Sequence, residues 1–198
     1  MPAKTKSITQ STGAWVYTNG KFTEVYPTES NASIPASVTL KDFCQDVGTP
    51  EHLKSDRAPE LCGRNSAFKR LADSRHIDLT YAEPEHSKQM WQINLEIREL
   101  KKLHHRKMTQ KKVPKRVWDF GFKHTAKMRQ FIPRDDLGGR TAIEAVTGKI
   151  PDISEYLDFD FYDLVWYFPG VNSSISEDNR ALGRWLGMSH RIGSDMCY

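Results

Sequence analysis

The chain has few cysteines, no long apolar run and no leader-like beginning, and each absence excludes a class of protein. Only Cys44, Cys62 and Cys197 are present among 198 residues, and none belongs to a Cys-x-x-Cys pair. This odd set argues against a disulfide framework and a zinc ribbon, and reduced thiols indicate an intracellular protein. No apolar stretch approaches the roughly 20 residues of a membrane helix, and residues 1–11 lack the apolar centre of a signal peptide. The sequence therefore predicts no membrane partner.

The chain has enough apolar residues for a folded core, and its charged residues form a basic block and an acidic block. Hydrophobic residues make up 38% of the chain and aromatic residues 11%, which favours one domain, or one and a half, over disorder. Residues 96–129 contain twelve Lys or Arg against three Asp or Glu, whereas residues 150–178 contain seven acidic residues and no Lys or Arg. This division favours a polyanion-binding segment beside an acidic one. The alternative is that the two charged segments are only solvent-exposed faces.

Turn and periodicity signals predict a mixed α/β order of elements. Asn19-Gly20 lies between two β-rich runs and predicts a tight type I′ hairpin whose second strand ends at Pro27. A helix is predicted over 33–46, with Val38, Leu40 and Phe43 as its apolar positions, and a second helix from an Asn65 cap to Arg75. Further helices are predicted from Ile93 and over 115–131, with a turn over 143–148. Strands are predicted over 52–55, over 76–82, within 156–168 and over 185–190.

Four ordered motifs occupy the middle of the chain. They are Ser55-Asp56-Arg57-Ala58, Ala82-Glu83-Pro84, the Glu-Ile-Arg-Glu-Leu-Lys-Lys run at 96–102 and the Val-Pro-Lys-Arg-Val-Trp-Asp run at 113–119. Their order and spacing resemble the second half of a copia-type (Ty1/copia) retrotransposon integrase core, and residues 139–154 and 183–187 resemble the region that follows that core. The whole chain thus resembles a fragment of a polyprotein.

The resemblance implies a fold and its division into two parts. Residues 12–132 are expected to form an α/β, ribonuclease-H-like integrase core with a mixed sheet, truncated at its N-terminus so that the opening strand is missing. Residues 133–198 are expected to form a linker and the beginning of a small β domain, truncated at its C-terminus.

The same resemblance implies a catalytic site in which two aspartates and a glutamate hold Mg²⁺ or Mn²⁺. Asp56 corresponds to the second aspartate and is the expected metal ligand, with an ordinary solvated turn aspartate as the alternative. Asn94 stands where the glutamate is expected, three residues before Ile97. Glu96 is a candidate replacement, or else a charge that favours the N-terminal end of the helix dipole. No residue corresponds to the first aspartate.

Basic residues on consecutive helical turns predict a DNA-binding surface, because Lys and Arg neutralise phosphates with little base selectivity. A solvated helix is the alternative. Trp118 and Phe122, one helical turn apart, are interpreted as core residues. The predicted DNA contacts are Arg98, Lys101, Lys102, Arg106, Lys111, Lys112, Lys115 and Arg116.

The resemblance implies an integrase-like, nucleic-acid-binding protein whose intact relatives integrate DNA by two-metal phosphoryl transfer. Because two of the three metal ligands are absent or altered, we expect this fragment to be inactive. The alternatives are a noncatalytic DNA-binding or interaction module and a nonfunctional transposon-derived open reading frame. DNA is the expected partner, together with a homo-oligomer, and the expected location is the nucleus or a cytoplasmic particle.

Overall fold

The computed structural model describes residue 3 and residues 5–83, 90–169, 180–188 and 196–197. Pro84 of the second motif and the last two residues of the strand expected over 185–190 lie outside these ranges. The helices and strands follow in the order β1 (Gly13–Thr18), β2 (Thr23–Thr28), α1 (Ser33–Asp46), β3 (His52–Ser55), α2 (Pro59–Cys62), α3 (Ala67–Ser74), β4 (Asp78–Tyr81), α4 (Trp91–Gln110), α5 (Trp118–Gln130), α6 (Ala142–Thr147), α7 (Ser154–Leu157), β5 (Leu164–Tyr167), β6 (Ala181–Arg184), β7 (Gly187–Met188) and β8 (Met196–Cys197).

The predicted hairpin is present, although its turn and its end differ from the expectation. β1 and β2 pair antiparallel, and the Asn19 Oδ1 accepts hydrogen bonds from the backbone N–H of Lys21 and Phe22 at 3.0 and 2.7 Å. Gly20 has a φ of 85°, whereas Asn19 does not have the positive φ that a type I′ turn requires. Pro27 lies inside β2 instead of ending it. The missing N–H is tolerated because β2 pairs on one side only among the described strands.

Helix α1 has the predicted bounds but buries a different stripe. Ala36, Leu40 and Cys44 are buried at i, i+4 and i+8, whereas Val38 is 51% exposed. The expected stripe of Val38, Leu40 and Phe43 was therefore wrong at Val38. Sequence periodicity alone did not show that small residues, rather than the largest ones, meet the neighbouring helix α3.

Helix α3 begins one residue later than expected. Ser66, not Asn65, is its N-cap, and the Ser66 Oγ accepts a hydrogen bond from the backbone N–H of Lys69 at 3.2 Å. The Ser33 hydroxyl contacts Ser66 at 3.0 Å and accepts from the N–H of Ala67. This tertiary contact fixes the cap on Ser66, since both residues can act as caps by themselves.

The expected single mixed sheet is split. Among the described residues the strands form two-stranded sheets: β1–β2, β5–β6 and β7–β8 are antiparallel, and β3–β4 is parallel. No strand that the structure describes lies between β1 and β3 to carry hydrogen bonds from one sheet to the other. The fold is a mixed α/β arrangement of small sheets.

The long helices α4 and α5 pack together over the hairpin. Leu100 of α4 and Phe122 of α5 are fully buried with Val25 of β2, and Trp118 belongs to the same cluster. The interpretation of Trp118 and Phe122 as core residues is confirmed. No helix within the described ranges is both long enough and apolar enough to cross a bilayer.

The C-terminal segment contains a helix where strands were expected. α7 occupies Ser154–Leu157, and the first strand of the segment, β5, begins only at Leu164. Between them, Phe161 is fully buried against Val113 and Val117, next to the end of α4. The prediction of strands within 156–168 is confirmed for β5 and wrong for residues 156–163, where α7 ends and the buried Phe161 lies in a turn.

Candidate functional site

An open pocket of about 210 Å³ lies between β1, β3 and the beginning of α4. We name it the interstrand pocket. Its walls include every residue from 14 to 18 and from 53 to 56. Because successive side chains of a strand point to opposite faces, a strand that lines a pocket with every residue presents its edge to it. The remaining lining residues are Leu61, Phe68, Met90, Ile93, Asn94 and Ile97.

Asp56 and Asn94 meet at this pocket from different elements. Asp56 follows directly after β3, is exposed, and its carboxylate makes no hydrogen bond or ion pair with any residue that the structure describes. Asn94 lies on the first turn of α4, where Ile93 and Ile97 turn toward the same pocket. Two residues that are 38 positions apart in the chain therefore share one solvent-accessible site, as the predicted catalytic positions require.

Glu96 does not line the interstrand pocket. It is 7% exposed, and its Oε2 lies 2.8 Å from the Arg129 Nη1 on α5. That contact is electrostatic and not an aligned hydrogen bond, whereas the Arg129 Nη2 donates to the Glu96 Oε1 at 3.3 Å. The Arg134 Nη1 lies 3.9 Å from the same carboxylate. The structure thus gives Glu96 the role of linking α4 to α5, which no local sequence signal indicates.

The described residues of the interstrand pocket offer one carboxylate, that of Asp56. In the described part of the chain, no group of three or more His, Cys, Asp or Glu side chains converges as a metal site would. The Asn94 amide supplies a neutral oxygen only. Two divalent ions need several anionic oxygen ligands, so the residues present at this pocket do not fit a two-metal centre.

Seven of the eight predicted DNA contacts are exposed to solvent, whereas Lys111 is paired with aspartates. Lys111 is only partly exposed, and its Nζ lies 2.6 Å from the Asp163 Oδ1 and 3.1 Å from the Asp160 Oδ2. Within α4, Lys102 contacts Glu99 at 3.0 Å, a surface pair that leaves the lysine in solvent. The exposed members of the set are Arg98, Lys101, Lys102, Arg106, Lys112, Lys115 and Arg116.

The predicted DNA contacts do not include Lys107, which the structure places beside Lys111. Its Nζ donates a hydrogen bond to the Asp160 Oδ1 at 2.7 Å. The two opposite charge blocks of the sequence gave a signal for this contact, because they predict attraction between residues 96–129 and 150–178. They did not indicate which residues would meet.

No protein-family model and no curated protein matches the chain. Among solved structures, it resembles a chain of the simian T-cell lymphotropic virus intasome in complex with PP2A regulatory subunit B56 gamma, with a TM-score of 0.58 and 18% identity. That match covers 87% of this chain and 60% of the intasome chain, so this chain spans less than two thirds of it.

Two integrase catalytic cores are also similar. The BIV integrase core matches with a TM-score of 0.54 and 18% identity over 74% of this chain and 90% of that chain. The trimeric form of the HTLV-2 integrase core in complex with magnesium matches with a TM-score of 0.53 and 16% identity, over 67% and 82%. The copia-type assignment, the ribonuclease-H-like assignment and the boundary at residue 132 stay predictions. The chain has the fold of an integrase catalytic core.

Proposed function

We propose that this chain is an integrase-like protein of the copia type that binds DNA along α4 and does not by itself join DNA strands. The observation that carries the proposal is the meeting of Asp56 and Asn94 at the interstrand pocket, within an integrase-core fold. Asp56 occupies a strand end and Asn94 the first turn of the long helix, the positions that the sequence resemblance assigns to metal ligands.

The donor set supports the absence of strand transfer. Among the described residues that line the pocket, Asp56 supplies the one carboxylate, and the Asn94 amide contributes no charge to balance a dication. Asp56 and Asn94 keep the places of ligands in a site that lacks the charge to hold two ions.

The basic residues of α4 support DNA binding. Lys101 and Arg106 are exposed and take part in no ion pair with any residue that the structure describes. Such cations release counterions when they neutralise phosphates, so binding weakens steeply with salt. We expect the purified chain to bind double-stranded DNA with little sequence preference and with a clear dependence on salt.

A metal titration of thermal stability tests the noncatalytic part of the proposal. Wild type and Asp56→Asn are both expected to show no rise in melting temperature with Mg²⁺ or Mn²⁺, because ligand-linked stabilisation requires a site. Asn94→Glu returns a carboxylate to the pocket and is expected to create a metal-dependent rise, whereas Gln92→Glu, which adds the same charge on the exposed surface of α4, is not. A metal-dependent rise in wild type that Asp56→Asn abolishes would overturn the proposal.

The alternative of a nonfunctional open reading frame is separated from this proposal by folding. It predicts a chain that limited proteolysis degrades throughout. The proposal predicts protected fragments that contain the core of α1, α3 and the β1–β2 hairpin, where Leu40, Phe68 and Tyr26 are buried.

We further propose that the chain acts as a homo-oligomer inside the cell, in the nucleus or in a cytoplasmic particle. The HTLV-2 integrase core exists in dimeric and trimeric forms, which supports the oligomer. Sedimentation of the purified chain over a tenfold range of concentration tests it, and a mass equal to one chain throughout would contradict it.

A further inference from the structure

Two aspartates cover the two lysines at the C-terminal end of α4. Lys107 and Lys111 lie on the same helix face at i and i+4. Asp160 bridges them, with its Oδ1 2.7 Å from the Lys107 Nζ and its Oδ2 3.1 Å from the Lys111 Nζ. Asp163 adds a contact of 2.6 Å to Lys111. Three oxyanion contacts therefore take up two ammonium groups that solvent would otherwise surround. We name residues 160–163 the acidic turn.

Hydrogen bonds within the acidic turn hold its carboxylates in place. The Asp163 Oδ2 accepts from the backbone N–H of Asp160 at 3.0 Å, and the Asp160 Oδ1 accepts from the N–H of Phe161 at 2.8 Å. Burial raises the pKa of Asp160, but the ammonium groups of Lys107 and Lys111 outweigh it and lower that pKa to about 2. Asp160 is thus charged at neutral pH and well below it.

Phe161 anchors the acidic turn to the protein. Its side chain is fully buried with Val113 and Val117, and its ring lies edge-on to the His124 ring with centroids 5.3 Å apart. On the other side, the backbone N–H of Tyr162 donates to the Trp185 carbonyl at 2.7 Å. The turn is held beside the C-terminal end of α4 by packing as well as by charge, so the Lys107 and Lys111 ammonium groups are paired in the folded chain.

We propose that the acidic turn is a built-in competitor for nucleic acid, in which the Asp160 and Asp163 carboxylates stand where the phosphodiester groups of DNA would contact Lys107 and Lys111. Carboxylates and phosphates bind ammonium groups through the same charge-assisted hydrogen bonds. The DNA-binding face of α4 then ends before Lys107, and the acidic turn limits how much of the helix DNA can follow. This inference rests on the proposed DNA binding.

Neutralising the turn tests the inference by DNA affinity and its salt dependence. Asp160→Asn/Asp163→Asn keeps the shape of both side chains and frees two lysines. Two additional phosphate contacts are expected to steepen the slope of log K against log salt by about 1.8 and to raise affinity about tenfold at low salt. Asp158→Asn is the matched control, because Asp158 is exposed in the same segment and pairs with no lysine in the described ranges. Its slope is expected to stay that of wild type.

Removal of the lysines gives the second readout. Lys107→Gln/Lys111→Gln is expected to leave the DNA affinity of the wild-type chain unchanged. Added to Asp160→Asn/Asp163→Asn, the same two substitutions are expected to abolish the increase in affinity. Lys101→Gln/Arg106→Gln removes the same charge from the open part of α4 and is expected to weaken binding. If the asparagine variant does not fold, the first lysine variant decides: undiminished affinity supports the inference and weakened affinity overturns it.

The two proposals fail in different ways. DNA binding by wild type with an unchanged slope in Asp160→Asn/Asp163→Asn overturns the built-in competitor alone. Absence of salt-dependent binding in every variant, the neutralised one included, overturns the proposed DNA binding and the competitor with it.

Discussion

The two ends of helix α4 carry different chemistry on one continuous element. At its N-terminal end, Asn94 lines the interstrand pocket while Glu96, two positions on, is buried against Arg129. At its C-terminal end, Lys107 is covered by the acidic turn. Between them, basic side chains such as Lys101 remain exposed. The same helix therefore holds a residue of the candidate site, a structural ion pair, an open basic surface and a covered one.

Position around a helix, and not charge alone, decides what a residue of α4 does. Residues 94 and 96 are about 200° apart around the axis, so one faces the pocket and the other faces α5. Lys101 and Lys111 count equally in the net charge of the segment, yet only Lys101 is free to meet a phosphate.

Removing Phe161, which anchors the acidic turn at the C-terminal end of α4, is expected to have the largest effect on stability. Phe161→Ala deletes a fully buried ring and should lower the free energy of unfolding by about 3–5 kcal/mol. Phe168→Ala, at a residue that is 72% exposed, is the control and should change it little. Urea unfolding measures both. Equal effects of the two substitutions would show that the acidic turn is not anchored by Phe161.

Acid should destabilise the C-terminal end through His124. Burial lowers the pKa of His124 from 6.5 to about 4, so the unfolded chain takes up a proton more readily. The neutral His124 side chain therefore costs the folded chain nothing above pH 6.5. As the pH falls from 6.5 towards 4, the free energy of unfolding decreases by about 3 kcal/mol. His124→Gln should flatten the pH dependence of unfolding in that window. The exposed His105→Gln should not, and equal slopes for the two variants would contradict the prediction.

Breaking the ion pair at the N-terminal end should have a smaller effect. Glu96→Ala leaves Arg129 without its carboxylate and should lower the free energy of unfolding by about 2 kcal/mol, less than the loss of a fully buried pair, because Arg129 is 24% exposed. Chemical denaturation measures it, with Glu99→Ala at an exposed pair as the control. If Glu96→Ala instead abolished a metal-dependent rise in melting temperature, Glu96 would be a metal ligand and not only the partner of Arg129.

The smallest effect is expected in the open middle of the helix. Lys102→Ala should not change stability measurably, because its pair with Glu99 lies in solvent. It should reduce the slope of log K against log salt for DNA by about 0.9, whereas Lys111→Ala should leave the slope unchanged. Parallel slopes for the two variants would remove the distinction between open and covered lysines.

Local signals predicted much of the frame of the fold. The hairpin, helix α1 and strand β3 followed by Asp56 all lie where the sequence indicated. The errors arise where local signals were ambiguous. Ser66 rather than Asn65 caps α3 because Ser33 reaches it from another helix. The aromatic run near Phe161 forms a turn, because the Phe161 ring is buried with Val113 and Val117.

The candidate site was predicted less completely than the frame. The sequence placed Asp56 at a strand end and Asn94 on the first turn of α4, and the structure brings both to one pocket. The partner of Glu96 could not be predicted, because Arg129 is 33 residues away and only the packing of α5 on α4 brings it close.

Local signals in the sequence were sufficient for the order of the elements up to α5, for the division of charge and for the residue types that can meet at the pocket. These depend on turn chemistry, periodicity and composition, which act over a few residues. The tertiary structure alone decided that the sheets stay separate between β1 and β3, that Glu96 pairs with Arg129 and that Asp160 covers Lys107. Those outcomes depend on which distant surfaces are buried together, and burial over long sequence separations is a property of the packed chain rather than of any segment.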